Sequence, residues 1–315
     1  MVKIGAVTLD TSHPMGFAEE LEKYCMDMKY EYVYDNGFRD RSEGDWFAKR
    51  YCQAGRVEGI EDMADKVDVG FIHACNWDKH LDEAEPFIKC GTPVMIDKPI
   101  VGSVKDIKRL RKLVRDGAKI LGASSARYAD EVQEFLKRPI EERGKIVSIF
   151  GTCGVDEFNY GIHIVEIFSE LAGAKGINCR FDGCSEDIDG HKCEMYSVKF
   201  ENGVCGTYHI SRGRWHPFDI TVMTTAGTYH FKIDSSKIYV ALLRTIYREL
   251  TYKKSNLADV ETLINCTEIM LCGKKSRDEK NGAVIAVSEL GESDSFDGYA
   301  FEKEYGRKAT LMYKD

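Results

Sequence analysis

The sequence lacks any excess of positive charge. Its 44 lysines and arginines are outnumbered by 52 aspartates and glutamates, and the net charge is −8. Proteins that bind nucleic acid concentrate basic residues against the phosphate backbone, so this balance argues against that class. The most basic stretch, residues 105–112, has its lysines and arginines at helical spacing and is expected to form the solvent-facing side of a helix.

Long apolar runs are also missing. The apolar start, Val2–Val7, is too short for the hydrophobic region of a signal peptide, and no run approaches the length of a membrane span. There is no internal repeat and no low-complexity segment. With 315 residues, 43% of them hydrophobic, the sequence is expected to form two globular domains in the cytoplasm.

A disulfide framework is not indicated, although the sequence has 11 cysteines. Their number is odd and most lie within apolar strand or helix patterns, so we expect reduced thiols in the core. The spacings within one Cys/His cluster match no familiar zinc motif, and the acidic residues between its members indicate an exposed loop, so no metal site is predicted. The cluster comprises Cys179, Cys184, His191 and Cys193.

The first 123 residues alternate short apolar runs with helical patterns. The predicted strands are 2–9, 30–34, 67–74, 93–96 and 119–123, and the predicted helices are 14–26, 46–54, 78–90 and 103–117. Ser103 and Asp106 form a capping box at the start of the last helix. Such alternation predicts an α/β domain with a doubly wound parallel sheet and right-handed crossovers.

Beyond residue 123 the pattern changes to strands in antiparallel-looking succession. Strands are predicted at 145–153, 193–200, 203–211, 218–224 and 227–233, and helices at 127–136, 236–250 and 257–271. Asn202-Gly203 is a strong hairpin signal. The pattern predicts a second, α+β domain with a mixed, mostly antiparallel sheet, and it leaves the polar tail after residue 290 unassigned.

The apolar strand that begins at Pro93 delivers Asp97 and Lys98 at its carboxyl end. Pro99 biases Lys98 toward an extended backbone. Ligands of open α/β sheets bind outside the carboxyl ends of the strands, where a lysine can donate hydrogen bonds to a hydroxyl or carbonyl, or pass a proton. The alternative is an ordinary solvated lysine at a strand end.

An apolar helix predicted at 158–173 carries a polar stripe of Asn159, His163, Glu166 and Glu170. A histidine with an amide four residues before it and a carboxylate three after it is typical of a positioned proton donor or acceptor. The alternative is a core histidine in a satisfied polar network.

Four stretches together resemble one enzyme family. Asp97-Lys98-Pro99-Ile100 resembles a Glu-Lys-Pro signature, and the loop 74–80 ends in histidine as that family's does. Arg127-Tyr128 is similar to its Arg-aromatic pair, and 161–166 to its Gly-x-His-x-x-Asp helix. On these motifs the chain resembles the glucose-fructose oxidoreductase, inositol dehydrogenase and MocA-like (Gfo/Idh/MocA) dehydrogenases along nearly its whole length.

The resemblance implies a Rossmann domain at 1–123, a substrate-binding and oligomerisation domain at 124–315, and hydride transfer between NAD(P) and a hydroxyl of a sugar-like or polyol substrate. It implies that Lys98 contacts the substrate hydroxyl and the nicotinamide ribose, and that His163 is the acid/base between the domains, with Asn159 and Glu166 fixing its imidazole. The cofactor-binding residues expected with it are Thr8, Asp10, Thr11, Ser12, His13, Asp35, Cys75, Asn76, His80, Asp97, Lys98 and Arg127. A homo-oligomer through the C-terminal sheet is also expected.

The chain departs from the family at the phosphate loop, because Gly-x-Gly-x-x-Gly is absent after the first strand. We expect a bound pyrophosphate to be held by the hydroxyls and amides of residues 10–13, with Thr11 or Ser12 capping the following helix and Asp10 turned away. The alternative is that Asp10 and His13 repel the phosphates. Asp35, which ends the second strand, favours NAD over NADP; the nearby Arg39 and Arg41 argue the other way.

Three functions therefore stay open: a dehydrogenase, a sugar-sensing regulatory protein, and an acid/base lyase or epimerase on the same fold. Retention of both Lys98 and His163 favours an enzyme. A polar-aromatic cluster could bind substrate or could lie at a subunit contact. Its members are His209, Arg212, Arg214, Trp215 and His216.

Overall fold

The computed structural model describes residues 1–122 and 124–309. These residues form two compact units. The first contains residues 1–122, 242–260 and 297–309, and the second contains residues 124–241 and 261–296. The first unit therefore includes two late segments that the sequence patterns place with the C-terminal domain.

The α-helices of the described residues are, in chain order, α1 (His13–Lys23), α2 (Arg41–Tyr51), α3 (His80–Lys89), α4 (Val104–Arg115), α5 (Asp130–Lys137), α6 (Ile140–Arg143), α7 (Gly161–Ala172), α8 (Ile238–Tyr252), α9 (Val260–Glu279) and α10 (Gly298–Lys308). None of these helices is both long and apolar enough to cross a membrane. All 11 cysteines are free, and five of them are buried.

The first unit is built on a parallel sheet, as predicted, but the sheet has six strands where the sequence patterns indicate five. Its strands are β1 (Val2–Val7), β2 (Met28–Tyr34), β3 (Gly55–Arg56), β4 (Val69–Ile72), β5 (Val94–Ile96) and β6 (Ile120–Gly122), in the order β3-β2-β1-β4-β5-β6. Every residue of β4 and β5 is buried, as in strands covered by helices on both faces. The strand order reverses between β1 and β4, which is where ligands bind in doubly wound sheets.

Helix α4 shows how the sequence determines these elements. The hydroxyl of Ser103 accepts a hydrogen bond from the Asp106 amide at 3.0 Å, as the capping box predicts. Ile107 and Leu110 are buried on one face, and the basic residues of the stretch lie mostly outside the core.

The second unit contains a seven-stranded mixed sheet. Its strands are β7 (Ile146–Val155), β8 (Gly176–Cys184), β9 (Cys193–Phe200), β10 (Cys205–Arg212), β11 (Asp219–Thr224), β12 (Thr228–Lys232) and β13 (Ile285–Ala286), in the order β12-β11-β7-β10-β9-β8-β13. All neighbouring pairs are antiparallel except β7 and β10. The predicted mixed, mostly antiparallel sheet is confirmed.

Two glycines let α7 pack closely on this sheet. A Cβ at Gly151 would lie 3.0 Å from the Phe168 ring, and one at Gly206 would lie 2.6 Å from it. The helix is buried along nearly its whole length as a result. This packing fixes the backbone that carries His163.

Strands β3 and β13 and helix α6 were not predicted, and three further segments differ from the sequence-based prediction. The stretch containing Cys179 and Cys184 belongs to strand β8, whose two bulges and polar residues obscure the alternation of a strand. Residues 298–308 of the unassigned tail form α10, and residues 310–315 lie outside the described residues. The helix expected at 158–173 begins at Gly161, so Asn159 lies in the preceding turn. There its backbone N–H donates to Asp156 Oδ1 at 2.6 Å.

Candidate active site

The loop after β1 is joined to the loops after β2 and β4 by Asp10. Its buried carboxylate accepts the amide of Phe38 at 3.1 Å and the amide of Cys75 at 3.1 Å. Thr8 has a φ of 63°, and its hydroxyl lies within hydrogen-bond distance of Asn36 Oδ1 at 2.9 Å and of Glu83 Oε1 at 3.0 Å. A left-handed non-glycine residue and a buried carboxylate thus replace the glycines of a phosphate-binding loop.

Buried carboxyl groups surround this loop. Burial raises the pKa of Glu83 to about 8, against a hydrogen bond from Thr8 that lowers it. Burial also raises the pKa of Asp10, although two backbone amides oppose the shift. Glu83 is therefore protonated at neutral pH, which limits the negative charge that the site contains.

Asp35 lies at the end of β2, as predicted. Its Oδ1 accepts the amide of Leu9 at 3.1 Å and that of Gly37 at 3.2 Å. Burial raises its pKa, and the amides of Gly37 and Leu9 oppose this effect. Nearby, Arg39 donates to the carbonyls of Leu9 and Asp10 and pairs with Glu43 at 2.9 Å.

Thr11 and Ser12 precede α1. The Thr11 hydroxyl accepts the amide of His13 at 3.2 Å, whereas the Ser12 side chain makes no capping hydrogen bond. His13 is the first residue of α1, followed by Pro14, which suits the first helical turn.

Asp97, at the end of β5, is held by two imidazoles. Its Oδ2 lies 2.6 Å from Nδ1 of His13 and 3.2 Å from Nδ1 of His73, and its Oδ1 accepts the amide of Lys98 at 2.8 Å. Burial alone would raise the pKa of Asp97, but the charge and hydrogen bonds of the two histidines hold it well below its usual range. The carboxylate fixes the backbone from which the half-buried Lys98 side chain extends.

The loop after β4 contains three of the expected residues. The Cys75 amide contacts Asp10, and burial raises the pKa of its thiol. Asn76 is fully buried, and its Oδ1 accepts the amide of Asp78 at 3.0 Å. His80 is also buried, with its ring nitrogens 2.9 Å from the Ala74 carbonyl and 3.2 Å from the Ile100 carbonyl.

In the second unit, His163 contacts a serine that the sequence did not single out. Its Nδ1 makes a short hydrogen bond with the hydroxyl of Ser124. Ser124 is itself fixed, because its amide donates to Glu166 Oε2 at 2.9 Å and its hydroxyl accepts the amide of Ala126 at 3.2 Å. The ring of Phe218 packs edge-on against the imidazole, with centroids 5.2 Å apart.

Arg127 contacts α7 at Glu166 and at Glu170. Its guanidinium donates to the Glu166 carbonyl at 3.0 Å and pairs with Glu170 Oε2 at 2.7 Å. Burial acts to lower its pKa, but the charge of Glu170 and smaller contributions from other nearby groups together outweigh this effect, and the pKa is raised. Within the second unit, Arg127 therefore anchors the polar face of α7.

Ser124 was missed because a serine that precedes a helical stretch is usually interpreted as a cap. The useful signal was its position directly after β6, since polar residues at the carboxyl end of a parallel strand face the ligand edge.

Among residues 1–122 and 124–309, no group of three or more His, Cys, Asp and Glu side chains is placed to hold a metal ion.

No family model and no curated protein sequence matches this chain. Solved structures, in contrast, do match it. A probable dehydrogenase from Thermotoga maritima shares 15% identity at a TM-score of 0.77, covering 92% of this chain and 100% of that one. Scyllo-inositol dehydrogenase from Lactobacillus casei, solved with NAD(H) and scyllo-inositol, shares 15% identity at a TM-score of 0.75, covering 91% and 99%.

Myo-inositol 2-dehydrogenase from Lactobacillus plantarum is similar in the same way, with 13% identity, a TM-score of 0.74 and coverage of 90% and 99%. The chain thus has the two-domain fold of dehydrogenases. More particularly, it is the Gfo/Idh/MocA fold, as the sequence motifs indicated.

Proposed function

We propose that this protein is an oxidoreductase that transfers hydride between a nicotinamide cofactor and a hydroxyl of a sugar-like or polyol substrate. The observation that carries the proposal is the fixed imidazole of His163, bonded to Ser124, on a fold shared with inositol dehydrogenases. A histidine held in one orientation by a serine that is itself held by Glu166 has the features of an acid/base.

The carboxyl edge of the first sheet fits a dinucleotide in its donors and acceptors. Asp35 can accept hydrogen bonds from ribose hydroxyls. The amides of Thr11 and Ser12, which precede α1, would face an anionic group. The side chains of Asn76 and Lys79 already hold a carboxylate, that of Glu302, at 3.0 and 2.5 Å. These residues would hold the cofactor, which when bound supplies the hydride acceptor.

NAD is the proposed cofactor, rather than NADP. The two arginines near Asp35 already have partners: Arg39 pairs with Glu43 at 2.9 Å, and Arg56 with Asp45 at 3.3 Å. Arg41, which is close to Asp35 in the sequence, pairs with Glu58 at 2.7 Å. A 2′-phosphate would have to displace these partners and would face the Asp35 carboxylate. Tighter binding of NADPH than of NADH would contradict this assignment.

In the oxidation direction, His163 takes the hydroxyl proton. The Ser124 oxygen has two lone pairs, so it can accept both the Ala126 amide and the Nδ1–H of His163. That tautomer leaves the lone pair of Nε2 available for the substrate proton. The substrate's C–H bond breaks, its C=O bond forms, and Lys98 polarises the same oxygen in this proposal.

The test is turnover with a panel of polyols and sugar acids in the presence of NAD, followed at 340 nm and by product analysis. The proposal expects reduction of NAD with at least one hydroxylated substrate. Product formation with no net change in the cofactor would favour a lyase or epimerase instead. Ligand binding without any turnover would favour a regulatory protein.

Assembly through the second sheet also stays a proposal, as does a cytoplasmic location. Exposed apolar side chains on the neighbouring strands β7 and β11 support the former: Val147, Phe150 and Met223. Trp215 is 64% exposed, and either role expected for its cluster is compatible with that exposure.

A further inference from the structure

We propose that Asn76 and Lys79 form an anion site at the carboxyl end of β4, and that Glu302 of the chain's own helix α10 occupies it. In this state α10 competes with the anionic part of a nucleotide for the same donors. The inference rests on the proposed nicotinamide-dependent function only in naming the nucleotide as the competitor.

The site combines a buried donor, Asn76, with a partly exposed one, Lys79. The Asn76 amide group is fully buried, and its Nδ2 donates to Glu302 Oε2 at 3.0 Å. Lys79 Nζ lies 2.5 Å from Glu302 Oε1, and the Glu302 side chain is 16% exposed. One carboxylate thus takes a hydrogen bond from each donor, which is how a phosphate oxygen pair would bind them.

Helix α10 lies against the two loops that flank the end of β1. The ring of Phe301 packs 4.9 Å from that of Trp77 in the loop after β4, and Tyr305 packs 6.1 Å from Phe38 in the loop after β2. At its first turn, the amide of Gly298 donates to Asp78 at 2.9 Å. The helix therefore spans the strand ends at which doubly wound sheets bind nucleotides.

The charges around Lys79 would allow another anion to take the place of the Glu302 carboxylate. Burial acts to lower the pKa of Lys79, but its hydrogen bond to Glu302 and the charge of that carboxylate outweigh the effect. The Glu302 charge also contributes to the raised pKa values of Asp10 and Glu83. An anionic ligand that replaced Glu302 would keep Lys79 paired and would add little charge near these two carboxyls.

Helix α10 has the features of an element that can separate from the rest of the first unit. Of its 11 residues only Gly298 is buried. A helix of this length is marginal alone in water, so its position depends on its contacts with the rest of the first unit. Losing the Glu302 contacts should therefore shift the helix toward an open state.

The test compares NADH and ADP-ribose binding by the wild type, Glu302→Gln and Glu304→Gln, using titration calorimetry on full-length protein. Glu304 is the matched control: it lies on the same helix, is 53% exposed, and pairs with Lys308. Glu302→Gln should bind about tenfold tighter, which corresponds to α10 closed in about nine of ten wild-type molecules. Glu304→Gln should bind like the wild type. Hydrogen exchange of α10 should increase when ADP-ribose binds the wild type.

Equal NADH affinity in the wild type and Glu302→Gln, with α10 still protected from exchange, would overturn the inference and leave the proposed function intact. Tighter binding of ADP-ribose by Glu302→Gln without reduction of NAD by any hydroxylated substrate would support the anion site and overturn the oxidoreductase assignment. Absence of binding in all three proteins would overturn both.

Discussion

Nδ1 of His13 lies 2.6 Å from Oδ2 of Asp97, so the first residue of α1 is joined to the carboxyl end of β5. The two residues are 84 positions apart, and the pair is almost fully enclosed. It connects the loop that lacks the phosphate-binding glycines to the strand end that carries Lys98. This connection gives His13 a structural partner that the sequence did not indicate.

We expect Asp97→Asn to lower the free energy of unfolding by about 3 kcal/mol at pH 7, because the substitution removes the buried carboxylate that His13 and His73 share. Since the folded pKa of Asp97 is depressed, its stabilising effect is present above the unfolded pKa of about 3.9 and is lost as pH falls through the lower folded value. Urea denaturation at several pH values measures this. Equal stability of variant and wild type at pH 7 would contradict the account.

The contribution of Glu83 to folding stability should have the opposite pH dependence. Its folded pKa of about 8 lies above the unfolded value, so the folded state keeps a proton that the unfolded state has lost. Its effect on stability therefore becomes less favourable between the unfolded pKa and about pH 8, by up to about 1.4 kcal/mol per pH unit. Glu83→Gln should gain in melting temperature over the wild type as pH rises from 5 to 8, to be checked by calorimetry. The same change at the more exposed Glu85 is the control, and parallel profiles for all three proteins would refute the prediction.

His163→Ala should reduce turnover about 10²–10⁴-fold while the protein stays folded. Ser124→Ala should reduce turnover less and should shift the pH profile of kcat/KM, because the imidazole loses the group that sets its tautomer. The double variant should be no slower than His163→Ala, since Ser124 acts through the histidine. Ser125→Ala, in the same turn, is the control. A His163→Ala protein that melts lower but retains full turnover per folded molecule would assign the histidine to structure alone.

Lys98→Ala should also reduce turnover about 10²–10⁴-fold with little change in melting temperature, because Lys98 is half-buried and outside the core. Lys105→Ala, an exposed residue at the start of α4, should be neutral. Steady-state kinetics and melting curves on the same preparations separate a loss of activity from a loss of folded protein. Unchanged kcat and KM in Lys98→Ala would identify it as an ordinary surface lysine.

The parallel sheet could be predicted because its strands are continuous apolar runs separated by helices with clear caps, as at Ser103. Likewise, α7 could be found from its apolar sequence and its one histidine. Glu302 and the His13–Asp97 pair could not be predicted, because their partners are distant in the sequence and nothing in the local pattern marks them. Ser124 offered only its position directly after β6, and its partner His163 lies 39 positions away. Strand β8 was missed for another reason: its polar residues and bulges hide a period of two.

The proposed oxidoreductase function depends most directly on whether this protein binds a nicotinamide dinucleotide without the glycine-rich loop. Titration of NADH with the full-length protein, followed by fluorescence, measures this. We predict a saturable change that is displaced by NAD and is reached at lower protein concentration by Glu302→Gln. No change up to millimolar protein, in both the wild type and Glu302→Gln, would contradict the proposed function.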